Sequence, residues 1–192
     1  MKIIEYPHPT LRYKSKPLRR VDAELRETVR TMFDLMYEAR GVGLAANQVD
    51  LPVRLFIVNL EAEPGKGEEL VFLNPVLSRP KGQVEMEEGC LSLPGLYARV
   101  RRPERIHISA FNLAGQEIEA DLDGMMARVV QHEVDHLDGV LFIDRLTEGG
   151  KLEVRPELEE FEATFLARRE RGEIPDDEAI AARWTEIEKR YC

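Results

Sequence analysis

Gln131-His132-Glu133-Val134-Asp135-His136-Leu137 is the stretch on which the reading of this chain turns. His132 and His136 stand four residues apart, so a helix carries both imidazoles on one face, one turn from each other. At that spacing two ring nitrogens can reach one divalent ion. Glu133 projects beside such an ion rather than onto it, where it can take a proton from a water that the metal activates. The surrounding helix reads as residues 124–138, with Asp123 as a cap and Gly139 just past its end. At about 100° per residue, Arg128, Gln131, Asp135 and Asp138 share one arc, expected to face water. Asp135 is accordingly expected at the surface or as a support for the ligands. His136 falls among Met125 and Val129, and Glu133 among Met126, Val130 and Leu137. A carboxylate on an apolar arc costs several kcal/mol or takes up a proton; a nearby cation removes that objection.

Two histidines leave the site incomplete, because a catalytic metal commonly has three protein ligands and one open position. Downstream no third histidine follows, only acids such as Glu148, Glu153 and Glu157. Upstream, Glu88-Gly89-Cys90-Leu91-Ser92 offers a thiol between turn-forming neighbours. An inert buried cysteine is the plain alternative. A third segment, Gly41-Val42-Gly43-Leu44-Ala45-Ala46-Asn47-Gln48, is uncharged and built of small residues. It reads as a helix end followed by a packed turn. It also suits close approach of a substrate backbone, with Gln48 able to donate to a developing oxyanion.

Outward from these segments, residues 22–40 read as an amphipathic helix with Leu25, Val29, Met32, Phe33 and Met36 on one face. Asp22 is its cap and Gly41 its stop. Residues 53–60 read as a buried strand. Short strands are expected near 70–73, 76–79, 83–87, 97–102, 105–111 and 116–122. After Gly149-Gly150, exposed helices are expected over 155–170 and 177–190. The pattern is that of an α+β protein with helices at the C-terminal end.

The 192-residue chain has two cysteines, which excludes a disulfide-built scaffold and a four-cysteine zinc site. Its net charge of -9 argues against broad nucleic-acid binding. Pro7 and Pro9 interrupt the first residues before a signal-length apolar core, and no apolar run approaches the roughly 20 residues of a membrane span. The expected address is the cytoplasm, without membrane contact.

Taken together, the segments 41–48, 88–92 and 131–136, in that order, resemble peptide deformylase, and the resemblance covers about residues 1–147. It implies antiparallel sheets around the His-Glu-x-x-His helix, and a division into a catalytic domain over 1–147 and a helical extension over 148–192. It implies removal of the formyl group from formyl-methionyl nascent polypeptides, with release of formate. It implies Cys90, His132 and His136 as metal ligands, Glu133 as acid and base, and oxyanion donors at Gln48 and the Leu91 N–H. The metal implied is Fe2+, with Zn2+, Ni2+ or Co2+ able to substitute. Substrate would pair with the backbone at Gly43 and place methionine near Val42 and Val129. Tyr97 stands where the family often has arginine. Glu88 and Arg102 resemble a pair that supports the cysteine loop. A zinc endopeptidase using a downstream acid is the alternative enzyme, and an idle ribosome-associated binding protein the alternative of another class. Transient ribosome contact is expected through Arg168-Arg169-Glu170-Arg171.

Overall fold

The spaced apolar residues form helix α1 (Ala23–Glu38), and Leu25, Val29, Met32, Phe33 and Met36 are all buried. Asp22 caps it by accepting from the Leu25 N–H at 2.9 Å. Its end differs from expectation by one residue. Arg40 takes the left-handed conformation (φ 56°). The Arg40 N–H bonds Tyr37 O and the Gly41 N–H bonds Met36 O, the paired closure of a Schellman turn. Gly41 is required for space instead: a Cβ there would lie 2.6 Å from Leu91 Cδ1.

The computed structural model describes residues 1–192. Its strands are β1 (Gly43–Ala45), β2 (Leu55–Val58), β3 (Leu70–Lys81), β4 (Val84–Cys90), β5 (Leu93–Arg102), β6 (Arg105–Phe111) and β7 (Glu117–Asp123). A five-stranded sheet runs β1-β2-β3-β6-β7, and β4 pairs only with β5. Every pairing is antiparallel. The run over 53–60 is apolar on both faces because both are covered. Leu55 and Ile57 pack with α1, while Phe56 and Val58 pack with helix α2 (Gly124–Leu137). The two short strands expected over 70–79 are one strand with a bulge, where the register shifts between Leu73 and Val76. Asn74 takes φ 50° there and ties the bulge to the N-terminal segment, exchanging hydrogen bonds with Leu18 N and O at 2.7 and 2.8 Å.

Helix α2 crosses the sheet, burying Ala127, Val130, Val134 and Leu137 against Ile106, Ile108 and Phe72. Gly139 ends it with φ 74°. The water-facing arc is a correction. Arg128, Gln131 and Asp135 are only 4%, 7% and 7% exposed, and of the four residues only Asp138 is exposed. That arc faces the β4–β5 hairpin, where partners on distant strands satisfy its charges, so polarity along the helix does not mark solvent.

Helix α3 (Glu148–Glu170) starts earlier than expected. Thr147 caps it by accepting from Gly150 N–H, so the Gly-Gly pair lies within its first turn, and Pro156 lies inside it. Helix α4 (Asp177–Tyr191) follows. Both helices are largely exposed but anchored, by Val154 and Phe165 on α3 and by Ile180 and Tyr191 on α4. Tyr191 joins the core beside α1, and its carbonyl accepts from Arg19 N–H. No helix is long and apolar enough to cross a membrane. Tyr191→Ala should lower unfolding free energy in urea by about 3 kcal/mol; a cost near zero would mean that α4 contributes nothing to the core.

Candidate metal centre and cavity

Cys90 closes β4 immediately before a tight turn, and its Sγ meets His136 Nε2 at 3.2 Å. His136 Nε2 lies 3.2 Å from His132 Nε2. The three ligand atoms all fall within 4.8 Å of one another. Two nitrogens each about 2.0–2.1 Å from a tetrahedral ion are about 3.3 Å apart, so the spacing suits one ion. The tautomer suits it too. His132 Nδ1 faces Glu88 Oε2 at 3.1 Å, which places the proton on Nδ1 and leaves the Nε2 lone pair free. The sulfur accepts from Ser92 N–H at 3.4 Å and from Gln48 Nε2 at 3.5 Å. Glu148, Glu153 and Glu157, the downstream candidates, are exposed on α3. The residues present therefore fit a divalent ion held by one sulfur and two nitrogens.

A cavity of about 660 Å³ opens beside these ligands. Val42, Gly43, Gln48, Leu91, Tyr97, Val129 and Glu133 line it together with Cys90 and His132, and His136 sits behind, 1% exposed. Glu133 is buried, and its Oε2 has no hydrogen-bond partner. Burial pushes its carboxyl up to about 7, although the charges of His132 and Arg102 pull the other way. Burial, reinforced by the charges of His132 and Arg102, holds His136 well below the usual imidazole range. Burial works against protonated His132 too, but its hydrogen bonds to Cys90 and Glu88 prevail and raise it to about 10, so an ion binding there has to displace the Nε2 proton.

Gln48 is oriented rather than merely nearby. Its Oε1 accepts from Ala45 N–H at 2.8 Å, so the NH2 group must face the sulfur, where it also donates to Ser92 Oγ at 3.1 Å. The Leu91 N–H donates to no protein group. Gly43 begins the edge strand β1. A Cβ on it would lie 2.5 Å from Glu133 Oε1 and 2.9 Å from Val129 Cγ1, so only hydrogen fits there. Tyr97 is 64% exposed at the rim, its ring lying over Gly89, where a Cβ would come within 2.5 Å of it.

The polypeptide deformylase family model matches residues 1–151. The chain belongs to that family. A peptide deformylase of Rhodopirellula baltica is 50% identical over 191 residues, spanning 100% of this chain and 95% of that one. The chloroplastic/mitochondrial peptide deformylase 1B of Arabidopsis thaliana is 42% identical over 184 residues, 95% of this chain and 66% of its own length. A plant peptide deformylase crystal structure superposes with a TM-score of 0.86 at 42% identity, covering 92% of this chain and 95% of that chain. The deformylase fold thus carries a hydrolase site for the N-terminal formyl group of new polypeptides, and its family is metal-dependent.

Beneath the ligands lies an ion network that the sequence reading caught only in part. Arg102 forks onto both oxygens of Glu88 at 2.6 and 2.9 Å. It also reaches Asp135 at 2.7 Å, and Arg145 closes on Asp135 from the other side. Burial would raise Glu88, but His132 and Arg102 outweigh it and hold the carboxyl down to about 2. Ser92 and Asn47 were also missed. Both are buried, Ser92 bracing Gln48 and Asn47 donating to the His136 carbonyl. The available signal is that both are polar residues inside the segments 88–92 and 41–48.

Gly43→Ala should displace the Glu133 carboxylate and cut deformylase activity by about 100-fold or more while metal content stays intact. Full activity in that variant, with a metal assay alongside, would show that Glu133 is not locked by the bare Cα.

Proposed function

We propose that Cys90, His132 and His136 hold Fe2+, with Zn2+, Ni2+ or Co2+ as substitutes, and that Glu133 is the acid and base of formyl-group hydrolysis. The carrying observation is the buried, unpartnered Glu133 oxygen beside three converging ligand atoms. Bound there, the metal would supply Lewis acidity toward a water and toward the formyl oxygen. Glu133 takes a proton from the attacking water as the C–O bond forms at the formyl carbon. Oxyanion charge is met by the Gln48 NH2 group and the Leu91 N–H, both positioned before substrate arrives. Glu133 then returns the proton to the amine as the C–N bond breaks, giving formate and a free amino terminus.

The peptide adds to the edge of the sheet along β1 at Gly43. Val42 and Val129 contribute apolar wall to the methionine pocket, and Tyr97 borders the path of the following residues. The partners are formyl-methionyl nascent polypeptides, and the address is the cytoplasm. Transient ribosome contact belongs to the same proposal, but Arg168, Arg169 and Arg171 are already paired with Glu5, Glu173 and Asp177. A docking surface there would have to exchange these pairs.

Formate release from formyl-Met-Ala-Ser is the direct test. Glu133→Ala should lose activity by about 1,000-fold or more with its metal retained, and full activity would sink the assignment. The base must be ionised, so kcat/KM should fall as pH drops through the Glu133 pKa. Burial, set against the charges of His132 and Arg102, brings that value to about 7, and the metal's charge shifts it lower. Cleavage of internal peptide bonds, with Cys90→Ala harmless, would favour the endopeptidase instead.

The metal assignment has its own measurement. A ferrous ion beside a thiolate is open to oxidation, so anaerobically prepared iron protein should outperform air-handled protein. Equal activity and durability would remove iron from the proposal.

A further inference from the structure

The three ligand atoms come from two separately built elements. Cys90 rides on the β4–β5 hairpin, whereas His132 and His136 ride on α2. The hairpin belongs to neither edge of the five-stranded sheet, so no backbone ladder fixes it against the helix. Side chains must do so, and Arg128 is placed to do it. It stands on α2 one turn before His132, with its side chain 5% exposed. Its Nη1 donates to Glu88 Oε1 at 2.5 Å and to Val100 O at 3.1 Å, and its Nη2 donates to Val84 O at 2.8 Å. One guanidinium therefore reaches both strands of the hairpin and the carboxylate that orients His132.

The arrangement is costly. Arg128 Nε is buried without a partner, and burying a cation disfavours folding unless its contacts are needed. An apolar side chain would pack this seam with less penalty. Planarity and reach are what the guanidinium adds: three oxygens on two strands, held in fixed mutual directions.

We infer that Arg128 is a positioning residue for the metal centre, setting the separation between Cys90 and the histidine pair and so the hold on the ion. The inference rests on Cys90, His132 and His136 being the ligands. Its action runs through Glu88 and the hairpin backbone, not through contact with the reacting atoms. Arg102 shares the same carboxylate but arises from the hairpin itself. Only Arg128 carries the tie from the helix side to both β4 and β5.

The test compares wild type, Arg128→Met and Arg128→Lys for Co2+ affinity by chelator competition, with the thiolate-to-cobalt absorption band as the reporter of Cys90 ligation. KM for formyl-Met-Ala-Ser is measured on metal-saturated protein. Arg128→Met should bind Co2+ at least about tenfold more weakly, with an altered band and an unchanged KM. Arg128→Lys keeps the charge but not the fork and should fall between the two. Should Arg128→Met not fold, the lysine variant carries the test, and wild-type affinity in it overturns the inference. Unchanged Co2+ affinity with lower thermal stability would make Arg128 a staple only. A raised KM at unchanged affinity would make it a substrate contact, and either result overturns the proposal. Wild type that binds no Co2+ through a thiolate would instead remove the ligand assignment itself.

Discussion

Glu88 is a single buried carboxylate facing three donors: Arg102, Arg128 and His132. Hairpin and helix meet at this one acceptor, beside the three atoms proposed to hold the ion. Isolated in the core, the same carboxylate would take up a proton or unfold its surroundings. Paired as it is, its ionised form is favoured, at the expense of two guanidinium groups and an imidazole taken out of water. Arg102, Arg128 and Arg145 stand against only Glu88 and Asp135. The network therefore carries one surplus positive charge, directly below a thiol and an unpaired carboxyl. In the proposed chemistry that surplus opposes the burial-driven protonation of Glu133, whose ionised form takes the proton from water. A well-packed apolar core would be no less stable in such a place, so the network is better understood as a device for geometry and charge than as glue.

The ligand helix could be read from the sequence because its information is local. Histidines four residues apart share a face in any α-helix, and Glu133 must fall on the apolar arc whatever surrounds it. The same arithmetic failed one arc away. Arg128, Gln131 and Asp135 have the residue types of a solvated stripe, yet they are buried because their partners lie on β4, β5 and the turn beyond α2. Helical periodicity distinguishes polar from apolar faces but does not say whether a polar face is wet or paired. Cys90 shows the same limit. Residues alone left it level with the downstream acids; family resemblance chose it, and the 3.2 Å approach of its sulfur to His136 is long-range geometry.

Punctuation residues were legible by type and less so by place. Gly139 and Asp22 act as expected, but Arg40 occupies the left-handed position beside Gly41, and the Gly-Gly pair opens α3 rather than preceding it. In each case a neighbouring group settles the matter: Leu91 against Gly41, Thr147 against Gly150. Short-range propensity is a weak prior where the third dimension supplies a cap or a clash. The 1–147 and 148–192 division has a similar standing. A composition shift marks it, yet Tyr191 fills the core beside α1.

Glu133 and Gly43 set a constraint that runs from the backbone to the reaction. The base proposed here, Glu133, must accept a proton and return it, which needs a pKa near the working pH; burial raises its carboxyl, and Oε2 has no hydrogen-bond partner. That leaves the side chain without polar anchors, so something else must hold it still. The bare Cα of Gly43 contributes to this: a Cβ there would come within 2.5 Å of Glu133 Oε1. The same glycine lies at the start of the edge strand along which the peptide is proposed to add. Substrate pairing and base placement thus depend on one missing side chain. A peptide that shifts β1 on binding also shifts the wall against which Glu133 rests, which couples recognition of the chain to the poise of its base.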